Sequence, residues 1–343
     1  MLRVPYQELE SALIEALLPF GFTAERATLC ARLIAETTRD GVYTHGLSRF
    51  PRFLEMIRNG SVDPGAESSL VTAFGGLERW DGNAGVGNLN AWASMQRAMK
   101  LAREHGIGAI ALANTNHWMR GGTYGWQAAD EGLFALCFTN TLPNLPAWGT
   151  TTPSLGNNPL VVAIPRPAGN IVLDMAMSQF SYGTLSAYAK SGSQLPVPGG
   201  YDATGALTTD PAAIEASHRA LPIGFWKGSG LSMTLDLIAA MLSGGKASYE
   251  LGQDPLRETG LSQVFLAIDS SRIGDPASLN AIAEGILTNL KNATPAIPGR
   301  PARYPGEQTL TLRRENMAKG VPVDREIWEK LTADNAAAAG KHV

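Results

Sequence analysis

Residues 85–112 read GVGNLNAWASMQRAMKLAREHGIGAIAL and hold a helix followed at once by a strand. Apolar side chains at helical spacing predict a helix over 88–104, and His105-Gly106 is a typical helix end. The small and branched apolar residues of 107–112 predict a strand. The glycines at 85 and 87 imitate a dinucleotide fingerprint, but the third glycine is missing and no buried strand precedes them. The segment therefore predicts an α/β fold in which these glycines form a tight turn and not a Rossmann site.

The same two patterns recur along the chain. Further strands are predicted over 134–138, 160–164, 171–173 and 264–268, and further helices over 9–18, 27–34, 50–57, 229–242 and 277–290. Segments 191–222 and 295–305 are rich in proline and glycine or small polar residues. They predict long crossings over the surface or between subunits.

Composition limits the class of protein. With 343 residues, 44% hydrophobic and 17% charged, the chain has the make-up of a globular enzyme. A net charge of -3 without a basic cluster gives no reason to expect nucleic-acid binding. Cys30 and Cys137 lie in apolar surroundings, which predicts two buried thiols with neither a disulfide nor a metal site. Without a signal peptide or an apolar run of bilayer length, a cytoplasmic protein independent of membranes is expected.

The first candidate catalytic element is the loop GVYTHG at 41–46. It places Thr44 and His45 four to five residues before Arg49, at the start of a predicted helix. An imidazole titrates near neutral pH and can protonate a carbonyl, whereas a guanidinium binds a carboxylate through two parallel hydrogen bonds. This loop therefore predicts a site for an acid that carries a reducible carbonyl.

Three further clusters have both a functional and a structural interpretation. His117 follows the strand at 107–112 and either lines a ligand site or caps the next helix. Lys227, in FWKGSG at 225–230 before a predicted helix, either holds a phosphate or belongs to an ordinary surface turn. Asp174 ends the strand at 171–173 and either binds a ligand or caps the segment that follows.

Five motifs together resemble the malate/L-lactate dehydrogenase-like (type 2) oxidoreductases. They are GVYTHG (41–46), RFPRF (49–53), HWMRGGTYGWQ (117–127), LDM (173–175) and WKGSG (226–230), and the likeness runs from the first helix to about residue 329. It implies a non-Rossmann α/β fold with a large mixed, mostly antiparallel sheet flanked by helices and a small helical N-terminal layer. A helical part, residues 1–65, would carry the catalytic loop and pack with the C-terminal helices of 306–340. Residues 66–305 would form the cofactor-binding domain of a homodimer.

The resemblance also implies a reaction. It indicates hydride transfer from NADH, or alternatively NADPH, to the 2-oxo group of a small keto or sugar acid, with 2,3-diketo-L-gulonate as the expected substrate and His45 as proton donor. Carried over from the family, the expected cofactor contacts are Asn170, Ile171, Val172, Leu173, Asp174, Met175, Ala176, Trp226, Lys227, Gly306, Glu307 and Gln308. The alternatives are oxidation of malate, lactate or ureidoglycolate, reduction of a cyclic imine, and a non-catalytic protein that binds sugar acids.

Substrate contacts are expected from Arg49, Arg120 and Asn158, with Thr44 and His117 beside the reacting oxygen. Arg120 occurs in the diketogulonate branch of the family and either meets the substrate's extra oxygens or faces solvent. The chain departs from that branch in three places. Thr44 replaces a serine, Asn157 replaces the usual threonine, and the stretch 141–149 diverges.

Overall fold

A computed structural model gives the fold of residues 2–252 and 254–340. Its centre is a seven-stranded sheet in the order β2-β3-β4-β12-β5-β8-β9. The strands of the chain are β1 Leu2–Val4, β2 Ser69–Phe74, β3 Leu77–Asp81, β4 Ile107–Asn116, β5 Phe134–Thr139, β6 Leu145–Pro146, β7 Pro153–Leu155, β8 Leu160–Ile164, β9 Ile171–Met175, β10 Gly200–Tyr201, β11 Leu207–Thr208, β12 Thr259–Ile268 and β13 Val321–Val323.

Every neighbouring pair in this sheet is antiparallel except β3 and β4, which are parallel. The long strands β4 and β12 pair from Ile107 opposite Ile268 to Asn116 opposite Thr259 and form the centre of the sheet. This arrangement confirms the predicted mixed, mostly antiparallel sheet and excludes the doubly wound parallel sheet of a Rossmann fold.

Helices cover both faces of the sheet. They are α1 Tyr6–Leu17, α2 Ala24–Arg39, α3 Phe50–Arg58, α4 Gly87–His105, α5 Gly122–Asp130, α6 Tyr182–Lys190, α7 Pro211–Ser217, α8 Trp226–Ser243, α9 Pro276–Asn292, α10 Glu307–Lys319 and α11 Arg325–Ala339. Alternate strand residues face opposite ways. Ile110 and Phe265 therefore pack under α4 and α5, whereas Ala111 and Val264 pack under α8. Cys137 is buried in the first of these cores, as predicted.

A second core lies within the N-terminal helices. Helices α1, α2 and α3 pack around Leu13, Ile34 and Phe53, and the predicted thiol Cys30 is buried there. Strand β1 pairs with β13, and Trp328 of α11 joins the same core. The first sixty residues and the C-terminal segment therefore form one helical layer. The domain limits expected from the sequence stay predictions.

Two predictions need correction. Segment 191–222 is not an open crossing, because α7 and the β10–β11 hairpin fold back on α6 around Leu185, Leu195 and Ile214. Segment 226–230 does not precede its helix but forms the first turn of α8. Gly85 does form the predicted turn, and its N–H donates to the carbonyl of Gly82 at 2.8 Å. No described helix is long and apolar enough to cross a lipid bilayer.

Candidate active site

A cleft of about 1400 Å³ lies where the helical layer meets the sheet. The residues of this cleft that were expected to act on ligands are Thr44, His45, Arg49, His117, Arg120, Val172, Leu173, Asp174, Ala176, Gly306 and Gln308. They come from both ends and the middle of the chain. Folding thus gathers most of the candidate residues into one place.

The catalytic loop is fixed to the end of α2. It consists of two 3₁₀ turns, Tyr43–His45 and Leu47–Arg49, with Gly46 between them. Gly46 lies so close to Thr38 that a Cβ on it would contact the Thr38 hydroxyl and stand 2.9 Å from its backbone nitrogen. The Thr38 hydroxyl also accepts a hydrogen bond from the Leu47 N–H at 2.9 Å. Glycine is therefore required here for close approach, and the position of His45 follows from it.

The two candidate histidines lie side by side. The rings of His45 and His117 are stacked with centroids 5.8 Å apart. His45 Nδ1 is hydrogen-bonded to the Thr44 hydroxyl at 2.9 Å, which leaves Nε2 for a ligand. His117 Nδ1 accepts from the Met119 N–H at 3.1 Å, so neutral His117 carries its proton on Nε2. His117 is therefore part of the cleft and not the cap of α5, which begins at Gly122.

Burial and nearby positive charge keep both imidazoles neutral. Burial, and then the charges of Arg49 and Arg120, lower the pKa of His45 to about 4. Burial, followed by Arg49, lowers the pKa of His117 well below its usual value. A neutral imidazole accepts a proton readily. To donate one at neutral pH, His45 must first have its pKa raised.

Arg49 and Arg52 share one buried carboxylate. Nη2 of Arg49 donates to Oε2 of Glu258 at 2.8 Å, and Nη2 of Arg52 donates to the same oxygen at 3.1 Å. Glu258 is only 6% exposed, and all three residues line the cleft. Two guanidinium groups facing one carboxylate leave a single net positive charge here.

Arg120 is not solvent-exposed, so that alternative was wrong. It is 5% exposed and donates from Nη1 to Oδ2 of Asp40 at 2.8 Å. Asp40 also accepts two hydrogen bonds from Arg313 of α10. Burial alone would raise the pKa of Asp40, but the hydrogen bonds from Arg313 and the charge of Arg120 lower it to about 2. Arg120 borders the cleft, and its Nε is buried without a partner among the described residues.

Strand β9 and the start of α10 form one side of the cleft. The Val172 N–H donates to the Pro305 carbonyl at 3.1 Å, and a Cβ on Gly306 would stand 3.1 Å from the Val172 nitrogen. Asp174 Oδ2 accepts from the Gly122 N–H at 2.8 Å, so its carboxylate binds the first turn of α5 while it borders the cleft. Burial raises the pKa of Asp174. Two of the three stretches expected to hold a cofactor are therefore adjacent.

Other expected site residues do not line the cleft, namely Asn158, Asn170, Ile171, Met175, Trp226, Lys227 and Glu307. Asn158 is fully buried, accepting from the Thr141 N–H at 2.9 Å and donating to Ser232. Trp226 is 66% exposed at the start of α8. The ligand contacts of all seven stay predictions.

Sequence reasoning missed several residues that line the cleft. They are Arg52, Thr141, Asn144, His218 and Glu258, together with Asn157, which had been noted only as a departure. Asn157 Oδ1 accepts from the Thr141 hydroxyl at 2.8 Å and from Asn144 Nδ2 at 3.3 Å. Asn144 Oδ1 is buried without a partner among the described residues. The divergence of 141–149 was the available signal, because it accompanied the change at 157.

Comparisons with known proteins found relatives over nearly the whole chain. A family model described as malate/L-lactate dehydrogenase matches residues 4–332. The chain is 44% identical over 332 residues to 2,3-diketo-L-gulonate reductase of Escherichia coli O17:K52:H18, covering 97% of this chain and all of that protein.

Two solved structures show the same fold over nearly the whole chain. Sulfolactate dehydrogenase from Methanocaldococcus jannaschii superimposes with a TM-score of 0.91 at 24% identity, over 99% of this chain and 98% of that one. Δ1-Piperideine-2-carboxylate reductase from Pseudomonas syringae gives a TM-score of 0.86 at 28% identity, over 96% of this chain and 99% of that one.

Proposed function

The chain belongs to the malate/L-lactate dehydrogenase family, and from that premise we propose that it reduces 2,3-diketo-L-gulonate with His45 as proton donor. It is an oxidoreductase that acts on 2-hydroxy or 2-oxo acids with a nicotinamide cofactor. The observation that carries the proposal is the stacked pair of histidines beside Arg49 in one cleft. This pairing supplies a proton-transfer group next to a carboxylate-binding group.

The cleft fits a dinucleotide. Its volume of about 1400 Å³ exceeds the roughly 300–1,000 Å³ of common small-ligand pockets, so cofactor and acid have room together. Gly306 borders the cleft without a side chain, and a Cβ on it would stand 3.1 Å from the Val172 nitrogen. When bound, the reduced nicotinamide supplies the hydride. We assign its binding to β9 and the start of α10, and we propose NADH as the preferred form.

Arg49 and His45 have different roles toward the acid substrate. Arg49 binds the carboxylate and thereby holds the neighbouring 2-oxo group against Nε2 of His45. Negative charge grows on the oxo oxygen during reduction, and His45 then gives it a proton. Thr44 fixes the imidazole through Nδ1, and the Nε2–H of His117 donates a hydrogen bond to the same oxygen.

A hydroxylated substrate is supported by the polar wall of Thr141, Asn144 and Asn157. The unpartnered oxygen of Asn144 is an acceptor for a substrate hydroxyl, because a buried polar atom without a partner is costly until a ligand pairs it. The Nε–H of Arg120 is a matching donor for a second oxygen. A keto acid with an apolar tail would leave both atoms unpaired.

We further propose a homodimer, with a helical domain of residues 1–65 and 306–340 and a cofactor domain of residues 66–305. Support for the dimer comes from exposed apolar side chains on α8 and β2, which lie close together because Arg79 of β3 donates to the Leu242 carbonyl at 2.9 Å. The exposed residues on this side are Phe74 of β2 and Leu231, Met233, Leu237, Ile238 and Met241 of α8. A second copy would bury this surface.

The deciding experiment follows loss of absorbance at the dihydronicotinamide band. Purified protein is mixed with NADH or NADPH and with 2,3-diketo-L-gulonate, pyruvate, oxaloacetate or a cyclic imino acid. Fast oxidation with diketogulonate supports the proposed substrate, and the ratio of kcat/KM for the two cofactors tests the choice of NADH. Turnover with another acid alone reassigns the substrate. Absence of turnover throughout leaves a non-catalytic sugar-acid-binding protein.

A further inference from the structure

The carboxylate of Glu258 is the negative charge in direct contact with the two arginines at the acid-binding end of the cleft. Arg49 and Arg52 both donate to its Oε2, and the group is almost fully buried. Arginine stays charged at any working pH, so the three side chains carry one net positive charge. The neighbouring His45 and His117 are neutral and add none.

The position of Glu258 is fixed by the backbone turn that precedes it and does not depend on Arg49. The preceding turn, Pro255–Arg257, is tied to the helical layer. Asn59 Nδ2 donates to the Leu256 carbonyl at 2.7 Å, the Ser61 hydroxyl donates to the same carbonyl at 3.4 Å, and Arg52 donates to the Pro255 carbonyl. Its charge therefore stays at this point of the cleft when a ligand binds to Arg49.

The other charged groups of the cleft have their own partners. Arg120 faces Asp40 at 2.8 Å, Arg303 donates to Gln308 at 2.6 Å, and Asp174 accepts from the Gly122 backbone. None of these contacts involves the Arg49–Glu258–Arg52 cluster. One carboxylate of a ligand balances the remaining charge there, and a second would face the buried carboxylate of Glu258.

We propose that Glu258 is a specificity-determining positioning residue that makes the site select 2-oxo acids with one carboxylate over those with two. This inference rests on the proposed binding of the acid at Arg49. Like charges repel strongly when one of them is buried, so a second carboxylate beside the first is disfavoured by Glu258, which is 6% exposed. Without that charge, two unneutralised guanidinium groups would favour a dianion.

Oxamate and oxalate test this directly, because they have nearly the same shape and differ by one negative charge. Inhibition constants for both are measured on the wild type, Glu258→Gln and Glu258→Asp. Glutamine keeps the size of the side chain and one acceptor oxygen but removes the charge. We expect Glu258→Gln to shift the preference toward oxalate by tenfold or more, and Glu258→Asp to restore most of the wild-type preference.

Glu55→Gln on α3 is the matched control. Glu55 pairs with Arg58 at 3.5 Å with its side chain half exposed, and it does not line the cleft. This variant should keep the wild-type preference. The inference would be overturned if Glu258→Gln left the ratio of the oxamate and oxalate inhibition constants unchanged, including the case in which both inhibitors bind more weakly by the same factor. Glu258 would then have a purely structural role.

Thermal shift with the same two anions separates this inference from the proposed function. The increase in Tm on adding oxamate or oxalate needs no turnover, so the comparison between wild type and Glu258→Gln stands even for a protein that reduces no acid. Failure of the wild type to oxidise NADH with any 2-oxo acid would count against the proposed function alone. If the difference between the Tm increases with oxamate and oxalate were the same in the wild type and in Glu258→Gln, that result would count against the role of Glu258 alone.

Discussion

At the scale of single residues, the chemistry depends on the charge around His45. Its pKa of about 4 reflects burial first and the charge of Arg49 second. A neutral His45 is suited to accept a proton from a hydroxy acid. In the reductive direction, an acid bound to Arg49 must raise this pKa before His45 can act as a donor.

Replacing His45 with alanine should lower kcat by about 100-fold or more, because the proton on the oxo oxygen would then have to come from water. Cofactor binding should change little, since the imidazole is hydrogen-bonded to Thr44 and stacked on His117, whereas the cofactor is assigned to β9 and the start of α10. Steady-state kinetics and quenching of protein fluorescence by NADH measure the two effects. Near-normal turnover in the variant would assign the donor role to His117 or water.

Binding of an acid should also take up a proton. A carboxylate on Arg49 cancels part of the positive charge that lowers the pKa of His45, so the pKa rises on binding. Affinity for oxamate should therefore increase as the pH falls from about 7 to about 5. Calorimetry in buffers of different ionisation enthalpy measures the uptake. A His45→Gln variant should show neither effect, whereas equal behaviour of the two proteins would contradict the coupling.

At the scale of elements, the proposed catalytic loop is held in a fixed position because it packs against α2. Gly46 of the loop lies so close to the Thr38 hydroxyl of α2 that no side chain fits between the loop and the helix. Helix α6 adds a second support. Gly183 at the start of α6 is so close to Thr44 that a Cβ on it would stand 2.5 Å from the Thr44 methyl group. The loop is therefore held from both sides.

Gly46→Ala should lower both stability and activity. The added methyl group must displace either the loop or the end of α2, which costs about 1–3 kcal/mol in a packed interior and moves His45. The control is Gly285→Ala in α9, where a Cβ meets nothing within 4 Å. That change should add about 0.5–1 kcal/mol of helix stability and leave kcat unchanged. Urea unfolding and kcat measure both, and a Gly46→Ala protein as active as the control would refute the packing argument.

At the scale of the whole molecule, one ion cluster joins parts that are distant in sequence. Asp40 follows the end of α2, Arg120 follows β4 and Arg313 belongs to α10, and both arginines donate to Asp40. The cluster therefore links the helical layer to the segment that follows β4, through an arginine that borders the cleft. Because Asp40 has its pKa lowered to about 2, it contributes this stabilisation fully above pH 4.

Stability should fall in weak acid before Asp40 is protonated. His45 has a pKa of about 4 in the folded protein and about 6.5 when unfolded, so the unfolded state binds more protons between these values. This difference alone lowers the free energy of unfolding by about 2 kcal/mol from pH 7 to pH 5. Urea unfolding at the two pH values measures it. His45→Gln should lose less stability than the wild type over this interval, and an equal loss would contradict the buried neutral state.

The proposed dimer makes a separate prediction. Met241→Glu places a charge on the exposed apolar face of α8, where Met241 is 72% exposed in the single chain. Light scattering should show a dimer of about twice 36.4 kDa for the wild type and a smaller particle for the variant. Met317→Glu on α10, also an exposed methionine, is the control and should remain dimeric. A monomeric wild type would overturn the proposal.

The central elements follow from the sequence because their signals are local. Helical periodicity and branched apolar runs predicted α4 and β4, and the order of five motifs indicated the family. Strand β2 was missed because its residues are exposed on both faces, so no alternation marks it. Helix α7 was missed because the glycines and prolines of segment 191–222 suggested a crossing without a helix, although Pro211 only begins a helix there.

The sequence by itself determined the family through the order of five motifs, and it predicted a proton-transfer and carboxylate-binding loop from the histidine, hydroxyl and arginine at 44–49. Only the tertiary structure decided how those groups are charged and partnered. Glu258 is hydrogen-bonded to Arg49, which lies 209 positions away in the sequence, and Asp40 to Arg120, which lies 80 positions away. Local patterns record which face of an element is buried. They do not indicate which side chain from a distant part of the sequence contacts that face. In a buried cleft, those contacts set the pKa values and the net charge.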